Sequence, residues 1–296
     1  MEVELTVPDL QRIALHPVAT GTDAVREIYS AVCPFQLARQ SLFDWKRFWR
    51  LLRYAHCSII IYMKIPEDVL VNKGITYVQK YPYGEIARVT KDHKRHYATP
   101  DGRQVPSVTT VLSATKDMTH LHAWRKRIGV EKAQQITTES ANIGTVMHRS
   151  LERHVKGEDR TPGSNLIQQK AHAMANVIID NGLKDVSEVW GSEVSLYYPE
   201  LYAGTTDLVG VYKGAPAILD FKQARKLKKR EWVEDYFLQL TAYGIAHNKM
   251  HDTDIKTGRI FICTQNNEYQ TFEIDNWDHW SDKWFRKLEE YYKKIL

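Results

Sequence analysis

The sequence predicts an α/β or α+β fold in which a mixed sheet is flanked by helices. Strand-like segments cluster in the second half of the chain, and amphipathic helical segments precede and follow them. A long helical segment separates the last two strand-like segments from the others, an order typical of a mixed sheet. The 296 residues are 43% hydrophobic and 26% charged, which is typical of a globular chain rather than of a disordered one.

By pattern, the chain has three parts. Residues 1–62 form an extension of uncertain role, residues 63–103 form a small β-rich segment, and residues 104–296 form the main domain. The extension holds a basic, aromatic stretch at residues 45–53, which favours a packing or interaction segment, with nucleic-acid binding as the alternative. Met63 is a second candidate for the natural start, because the residues after it resemble an ordinary N-terminus.

The elements of the first half follow from turn and cap signals. In the β-rich segment, Pro100-Asp101-Gly102 predicts a turn. Ser107 and Ser164 are N-cap candidates for two of the helices. The predicted strands are residues 86–90 and 95–99. One predicted helix begins at Ser107, and three others cover residues 121–128, 142–155 and 166–179.

The second half begins with three successive strands and ends with a helix. Residues 213–216, Lys-Gly-Ala-Pro, predict a tight connection between the second and third of these strands. The C-terminal helix is aromatic, basic and amphipathic. The predicted strands are residues 189–197, 203–212, 217–224, 259–264 and 269–274, and the predicted helices are residues 230–247 and 277–295.

Charge and cysteine content limit the class of protein. Lys and Arg outnumber Asp and Glu by 41 to 36, and the formal net charge of +5 permits a polyanionic partner without demonstrating one. Cys33, Cys57 and Cys263 lie far apart, so they predict no disulfide framework, no CxxC zinc site and no four-thiolate iron–sulfur cluster. There is no signal-peptide pattern and no apolar run of about 18 residues. We therefore expect a cytoplasmic protein without a membrane partner, with a mitochondrial location as the lesser alternative.

Three charged residues stand where a strand is usually apolar. Asp220 and Lys222 are two apart and share one face of their strand, while Leu219 and Phe221 are buried on the other. The short hairpin brings Asp207 close to Asp220 if the register pairs them. Two converging carboxylates then predict a site for Mg²⁺ or Mn²⁺, and the lysine can stabilise charge that develops on a phosphate. Ion pairs on the solvent face of an amphipathic sheet are the alternative.

Two helical pairs add to this pattern. His148 and Glu152 are four residues apart and share a helix face, and Gly144 permits close approach of another segment. Gln239 and Tyr243 are also four apart, on the helix that follows the strand of Asp220. Taken alone, His148 is explained as well by a histidine whose hydrogen bonds are satisfied, and Tyr243 by a packed core tyrosine. The metal-site hypothesis therefore depends on the whole set of residues.

In this order, the motifs resemble the PD-(D/E)XK nuclease superfamily in its RecB-type branch, near the mitochondrial genome maintenance and bacteriophage exonucleases. The resemblance covers residues 104–293 and begins with residues 106–112, PSVTTVL. It continues through a GxxxH helix, a GxxD strand, a DxK strand and a QxxxY helix, which contain His148, Asp207, Asp220 with Lys222, and Gln239 with Tyr243. Four motifs in this order make the match to the superfamily specific, whereas a DxK motif alone is weak evidence for it.

The resemblance implies a restriction-endonuclease-like core and a metal-dependent deoxyribonuclease, with Asp207, Asp220 and Lys222 as catalytic residues. The metal ligands that it implies are His148, Asp207, Asp220 and the backbone carbonyl of Phe221. The accessory residues are Glu152, Glu193, Gln239 and Tyr243, of which the last two are implied to touch the DNA backbone. Leu219 stands where the superfamily motif has proline, a difference that is common in the RecB-type branch. The chain also lacks the cysteines of those members that carry an iron–sulfur cluster, so no cluster is expected.

A basic run follows the DxK strand directly. Such a run is often a solvated loop, but its position favours sequence-independent binding of DNA phosphates. The predicted DNA-binding residues are Arg225, Lys226, Lys228, Lys229 and Arg230.

The sequence therefore predicts a metal-dependent DNA exonuclease, monomeric and selective for single strands or free ends. The setting that we expect is phage-type replication or recombination, with proteins of those processes as candidate partners. A structure-selective endonuclease, an inactive nucleic-acid-binding module and an unrelated metal-binding sheet protein are the alternatives. A fused P-loop helicase is excluded, because no GxxxxGK[ST] motif occurs.

Overall fold

The computed structural model describes residues 75–295 and, for residues 69–72, the course of the backbone. All of them belong to the unit Lys64–Leu296. The predictions for residues 1–62, including the basic stretch at residues 45–53 and the alternative start at Met63, lie outside the described residues.

Two sheets form the strand framework of the described residues. The strands are β1 (Val69–Asn72), β2 (Ile75–Val78), β3 (Ala87–Lys91), β4 (Lys94–Ala98), β5 (Gln104–Pro106), β6 (Val186–Tyr198), β7 (Tyr202–Tyr212), β8 (Ala215–Ala224), β9 (Thr257–Thr264) and β10 (Tyr269–Glu273). Seven of them form one sheet in the order β1-β2-β6-β7-β8-β9-β10, and β3, β4 and β5 form a small antiparallel sheet. The β2–β6 and β8–β9 pairs are parallel and the other pairs are antiparallel, so the predicted mixed sheet is confirmed.

Helices cover both faces of the large sheet. They are α1 (Val108–Ala114), α2 (Thr119–Ile128), α3 (Val130–Val155), α4 (Leu166–Asn181), α5 (Glu234–His251) and α6 (Trp277–Ile295). Neighbouring residues of a strand point to opposite faces, so Leu208 of β7 packs with α3 and α4, whereas Val209 packs with α1, α5 and α6. The result is a three-layer arrangement with one hydrophobic cluster on each side of the sheet.

The C-terminal helix has the predicted bounds and closes one face of the sheet. Its buried residues are Trp280, Trp284, Leu288 and Tyr291, which recur every three or four positions. The ring of Trp284 meets that of Tyr202 edge to face, with centroids 4.9 Å apart. No helix in the described part of the chain is long and apolar enough to cross a membrane.

The predicted helix boundaries need three corrections. Helix α3 begins at Val130 rather than at the predicted residue 142. The pattern did not predict its first three turns, because Ala133 is their only buried residue and they therefore lack an apolar period. Asn165, not Ser164, is the N-cap of α4, and its side chain accepts the N–H of Ile167 at 2.7 Å. The predicted helix 230–247 is a 3₁₀ turn, Arg230–Trp232, followed by α5.

Candidate active site

The β7–β8 hairpin places Asp207 opposite Asp220. The last ladder pair is Leu208↔Leu219, and the next position in this register holds the two aspartates. The Asp207 side chain continues the ladder in place of the backbone, because its Oδ2 accepts the N–H of Phe221 at 2.7 Å. The two carboxylates therefore meet at the point where β7 and β8 begin to separate.

Asp220 and Lys222 form a buried ion pair. Asp220 is 1% exposed. Burial raises the pKa of Asp220 to about 6, with a further rise from Asp207 and an opposing effect of the Lys222 ammonium group. Burial lowers the pKa of Lys222, but Asp220 and Asp207 outweigh it, so this pKa is raised. Lys222 therefore carries a positive charge at neutral pH, and its Nζ also lies 5.2 Å from the centroid of the Tyr236 ring.

Helix α3 brings His148 to the same carboxylates. The imidazole Nδ1 lies 3.2 Å from Oδ1 of Asp207, and the ring meets that of Phe221 edge to face. Burial lowers the pKa of His148, but the Asp207 carboxylate outweighs it and raises this pKa to about 8. Gly144 is not required for the approach, since a Cβ there would meet the side chain of Gln223 at an ordinary 3.6 Å.

Glu193 joins this group from β6. The pairs Ser192↔Leu208 and Val194↔Thr206 place it opposite Asp207. Its backbone is left-handed with a φ of 53°, an uncommon conformation for a residue with a side chain. Burial and the charge of Asp207 raise the pKa of Glu193 to about 7. Ligand atoms of His148, Glu193 and Asp207 all lie within 4.8 Å of one another.

These shifts predict how the stability of the metal-free protein depends on pH. The pKa of His148 is raised from 6.5, so its charge stabilises the fold below about pH 6.5, and this contribution is lost as the pH rises through about 8. The shift corresponds to about 2 kcal/mol. Urea unfolding in EDTA at about pH 6 and about pH 9 measures it. We expect a smaller difference for His148→Gln, and an equal difference would contradict this assignment.

Gln239 and Tyr243 of α5 form another wall of the site. The Gln239 amide Nε2 donates to the Tyr243 hydroxyl at 3.2 Å, and Tyr243 is 3% exposed. The ring lies against Gly204 of β7, where a Cβ would come within 2.6 Å of Tyr243 Cε1. The position of the Tyr243 ring therefore requires a residue without a side chain at position 204.

We expect Gly204→Ala to displace Tyr243 from this wall. The added methyl group has no room, so the free energy of unfolding should fall by about 1–3 kcal/mol. The double variant Gly204→Ala/Tyr243→Leu should recover stability. Denaturant unfolding checks this, and a stability of Gly204→Ala equal to that of the wild type would contradict the contact.

The predicted residues line one cavity of about 190 Å³. Those on its wall are His148, Glu193, Asp207, Lys222, Gln239 and Tyr243. Asp220 lies behind Lys222, within the sheet. Arg88, Arg95 and Tyr97 of the small sheet and Thr205 of β7 also line the cavity, and the sequence motifs did not indicate them. The signal for them is weak, since it consists of two arginines in a hairpin that precedes the PSVTTVL segment.

Other predicted residues lie outside this wall. Glu152 pairs with Lys156 at 2.7 Å. Within the basic run, Arg230 pairs with Asp275 at 2.8 Å and lies over the ring of Phe237, and Lys229 is 3.8 Å from Glu231. Among the described residues, Arg225, Lys226 and Lys228 form no ion pair, so their charges are available to a ligand. The roles of these residues and of the Phe221 carbonyl stay predictions.

Comparison with known proteins found no matching family model. Mitochondrial genome maintenance exonuclease 1 of Xenopus tropicalis is 26% identical over 245 residues, which are 75% of this chain and 67% of that protein. The proteins of the same name from Mus musculus and Homo sapiens are 25% and 27% identical, over 72% and 64% of this chain and 68% and 59% of theirs. Their names refer to mitochondria, which does not support the expected cytoplasmic location.

Among solved structures, an alkaline exonuclease from Laribacter hongkongensis has a TM-score of 0.33 and 10% identity, over 64% of this chain and 87% of that one. A protein from Eubacterium rectale has a TM-score of 0.41 and 14% identity, over 53% of this chain and 66% of that one. The three exonuclease relatives, together with the ordered motifs, confirm the resemblance of this chain to a nuclease superfamily.

Proposed function

We propose that this chain is an exonuclease that hydrolyses DNA phosphodiester bonds with the help of a divalent metal ion. One observation carries the proposal: the His148–Asp207 contact, the Asp220–Lys222 ion pair and Glu193 converge at one cavity. The exonuclease names of the three relatives support the same activity.

The donor set fits a metal such as Mg²⁺ or Mn²⁺. Carboxylate oxygens are the preferred ligands of these ions, and an imidazole nitrogen is compatible with Mn²⁺. Three such groups already lie within 4.8 Å of one another. The residues of this group that would hold the ion are His148, Glu193 and Asp207. Asp220, which is paired with Lys222, and the Phe221 carbonyl stay predicted ligands. When bound, the metal supplies a more acidic water and neutralises charge on the phosphate.

The side chains of the chain itself have separate tasks. Lys222, whose pKa Asp220 and Asp207 raise, would act as a fixed positive charge and hydrogen-bond donor. Asp220 holds the Lys222 ammonium group in place through their ion pair. Gln239 and Tyr243 keep the wall of α5 rigid through their hydrogen bond. Burial of these groups strengthens their electrostatic effect on a phosphate in the cavity.

We further propose a preference for single-stranded DNA or free ends. The word exonuclease in the names of the three relatives supports action at free ends. The words genome maintenance in the names of the relatives support a role in DNA replication or recombination. The phage setting and the monomeric state stay predictions.

Degradation of DNA with labelled ends tests the proposal. Linear and circular single strands are incubated with the full chain in Mg²⁺, Mn²⁺ or EDTA, with Asp220→Asn as the inactive control. Metal-dependent loss of the linear strand alone is expected. Cutting of the circle would instead favour the endonuclease, and binding without cleavage under every condition would favour an inactive binding module.

A further inference from the structure

Two arginines of the small sheet reach the cavity from outside the nuclease motifs. Arg88 of β3 and Arg95 of β4 both line it. The register pairs Arg88 with Tyr97 and Thr90 with Arg95, so the two arginines are diagonal neighbours on one face of the hairpin. This face is turned towards Asp207 and Lys222, which line the same cavity.

The small sheet is firmly attached to the large one at this point. The carbonyl of Arg95 accepts the N–H of Ser107 at 3.0 Å and the hydroxyl of Thr110 at 2.8 Å. Tyr97 is 1% exposed, and its hydroxyl lies 3.2 Å from Oγ1 of Thr205. The arginines therefore extend from a rigid element, which favours precise placement of a ligand.

Arg88 is anchored next to the catalytic strand positions. Its Nη2 donates to Oγ1 of Thr205 at 3.1 Å. Thr205 precedes Asp207 by two residues on β7, so both point to the same face about 6.7 Å apart along the strand. That separation is of the order of one nucleotide of an extended strand.

Neither arginine has a carboxylate partner within 4.0 Å among the described residues. By contrast, Arg103, Arg230 and Arg259 each pair with an acidic residue. Even Glu193, which is close enough to interact with Arg88 electrostatically, forms no ion pair with it. Two guanidinium groups therefore face the cavity with N–H donors that no ion pair within the described residues uses.

We propose that Arg88 and Arg95 bind a backbone phosphate of the substrate, one nucleotide away from the phosphate that is cleaved. The planar guanidinium group matches phosphate oxygens with two parallel hydrogen bonds. The hydroxyl of Thr109 lies on the same wall, whereas that of Ser107 already donates to Oγ1 of Thr110 at 2.8 Å. This inference rests on the proposed function, and it makes the small sheet a part of the substrate site.

Binding of a fluorescent single-stranded oligonucleotide in EDTA, where cleavage does not occur, tests the proposal. The variant Arg88→Gln/Arg95→Gln should weaken binding at least tenfold and reduce the salt slope by about 0.7, the value for one neutralised phosphate on a single strand. The matched control is Lys91→Gln/Lys94→Gln, which removes two exposed charges from the same hairpin outside the cavity. It should bind like the wild type.

A series of oligonucleotides, each with one neutral methylphosphonate, locates the contact. The wild type should lose affinity most at one position, and the arginine variant should be indifferent to that position. If the double variant does not fold, Arg95→Gln alone replaces it, because its guanidinium forms no hydrogen bond within the described residues. Unchanged affinity and salt slope in a folded arginine variant would overturn the subsite, whereas a wild type that degrades no labelled DNA in Mg²⁺ or Mn²⁺ would overturn the proposed function itself.

Discussion

Asp207→Asn is expected to lower nuclease turnover on the order of a thousandfold while the protein stays folded. Asp207 is the carboxylate that contacts His148, lies opposite Asp220 and accepts the N–H of Phe221. An asparagine keeps an oxygen for the Phe221 N–H, so β7 and β8 should remain paired, but it removes the charge that a metal ion requires. Turnover of a linear single strand in Mg²⁺, beside a thermal melt, measures both effects.

The matched control for this variant is Asp282→Asn. Asp282 lies on α6 with 74% of its side chain exposed, and Arg286 is at the limit of ion-pair distance. Its substitution should leave turnover and melting temperature unchanged. Turnover of Asp207→Asn within tenfold of the wild type would show that the chemistry takes place elsewhere.

Lys222→Met is expected to reduce both turnover and stability. The variant leaves the Asp220 carboxylate buried without its partner, which should lower the free energy of unfolding by about 3 kcal/mol. It also removes the fixed positive charge beside the phosphate, so turnover should fall by about a hundredfold or more. Denaturant unfolding in EDTA and turnover in Mg²⁺ separate the two effects.

The double variant Asp220→Asn/Lys222→Met distinguishes the structural from the catalytic contribution. Removal of both charges should restore much of the stability, because a neutral pair has no uncompensated buried charge. Turnover should stay low, because Asp220→Asn by itself inactivates the site. A stability of the double variant as low as that of Lys222→Met would contradict the unpaired carboxylate as the cause of the loss.

Local patterns in the sequence were sufficient to predict most secondary structure. Alternation in residues 203–212 and 217–224 predicted β7 and β8 to within two residues, and α6 has its predicted bounds. The common face of Asp220 and Lys222 also follows from strand periodicity, because strand geometry is fixed among near neighbours in the chain. The approach of His148 to Asp207 joins distant segments, and only the family resemblance implied it.

Contacts between distant segments required the tertiary structure. The left-handed backbone at Glu193, the approach of Arg88 and Arg95, and the ion pair that occupies Arg230 all depend on how separate strands and helices dock. The first half of α3 was missed for a related reason, since an exposed helix has no apolar period to reveal it. Periodicity and charge along the chain are enough to predict the mixed sheet and the charged residues of its central hairpin. The other side chains of the cavity follow only from the folded domain, because strand register and sheet docking are set by packing over the whole domain.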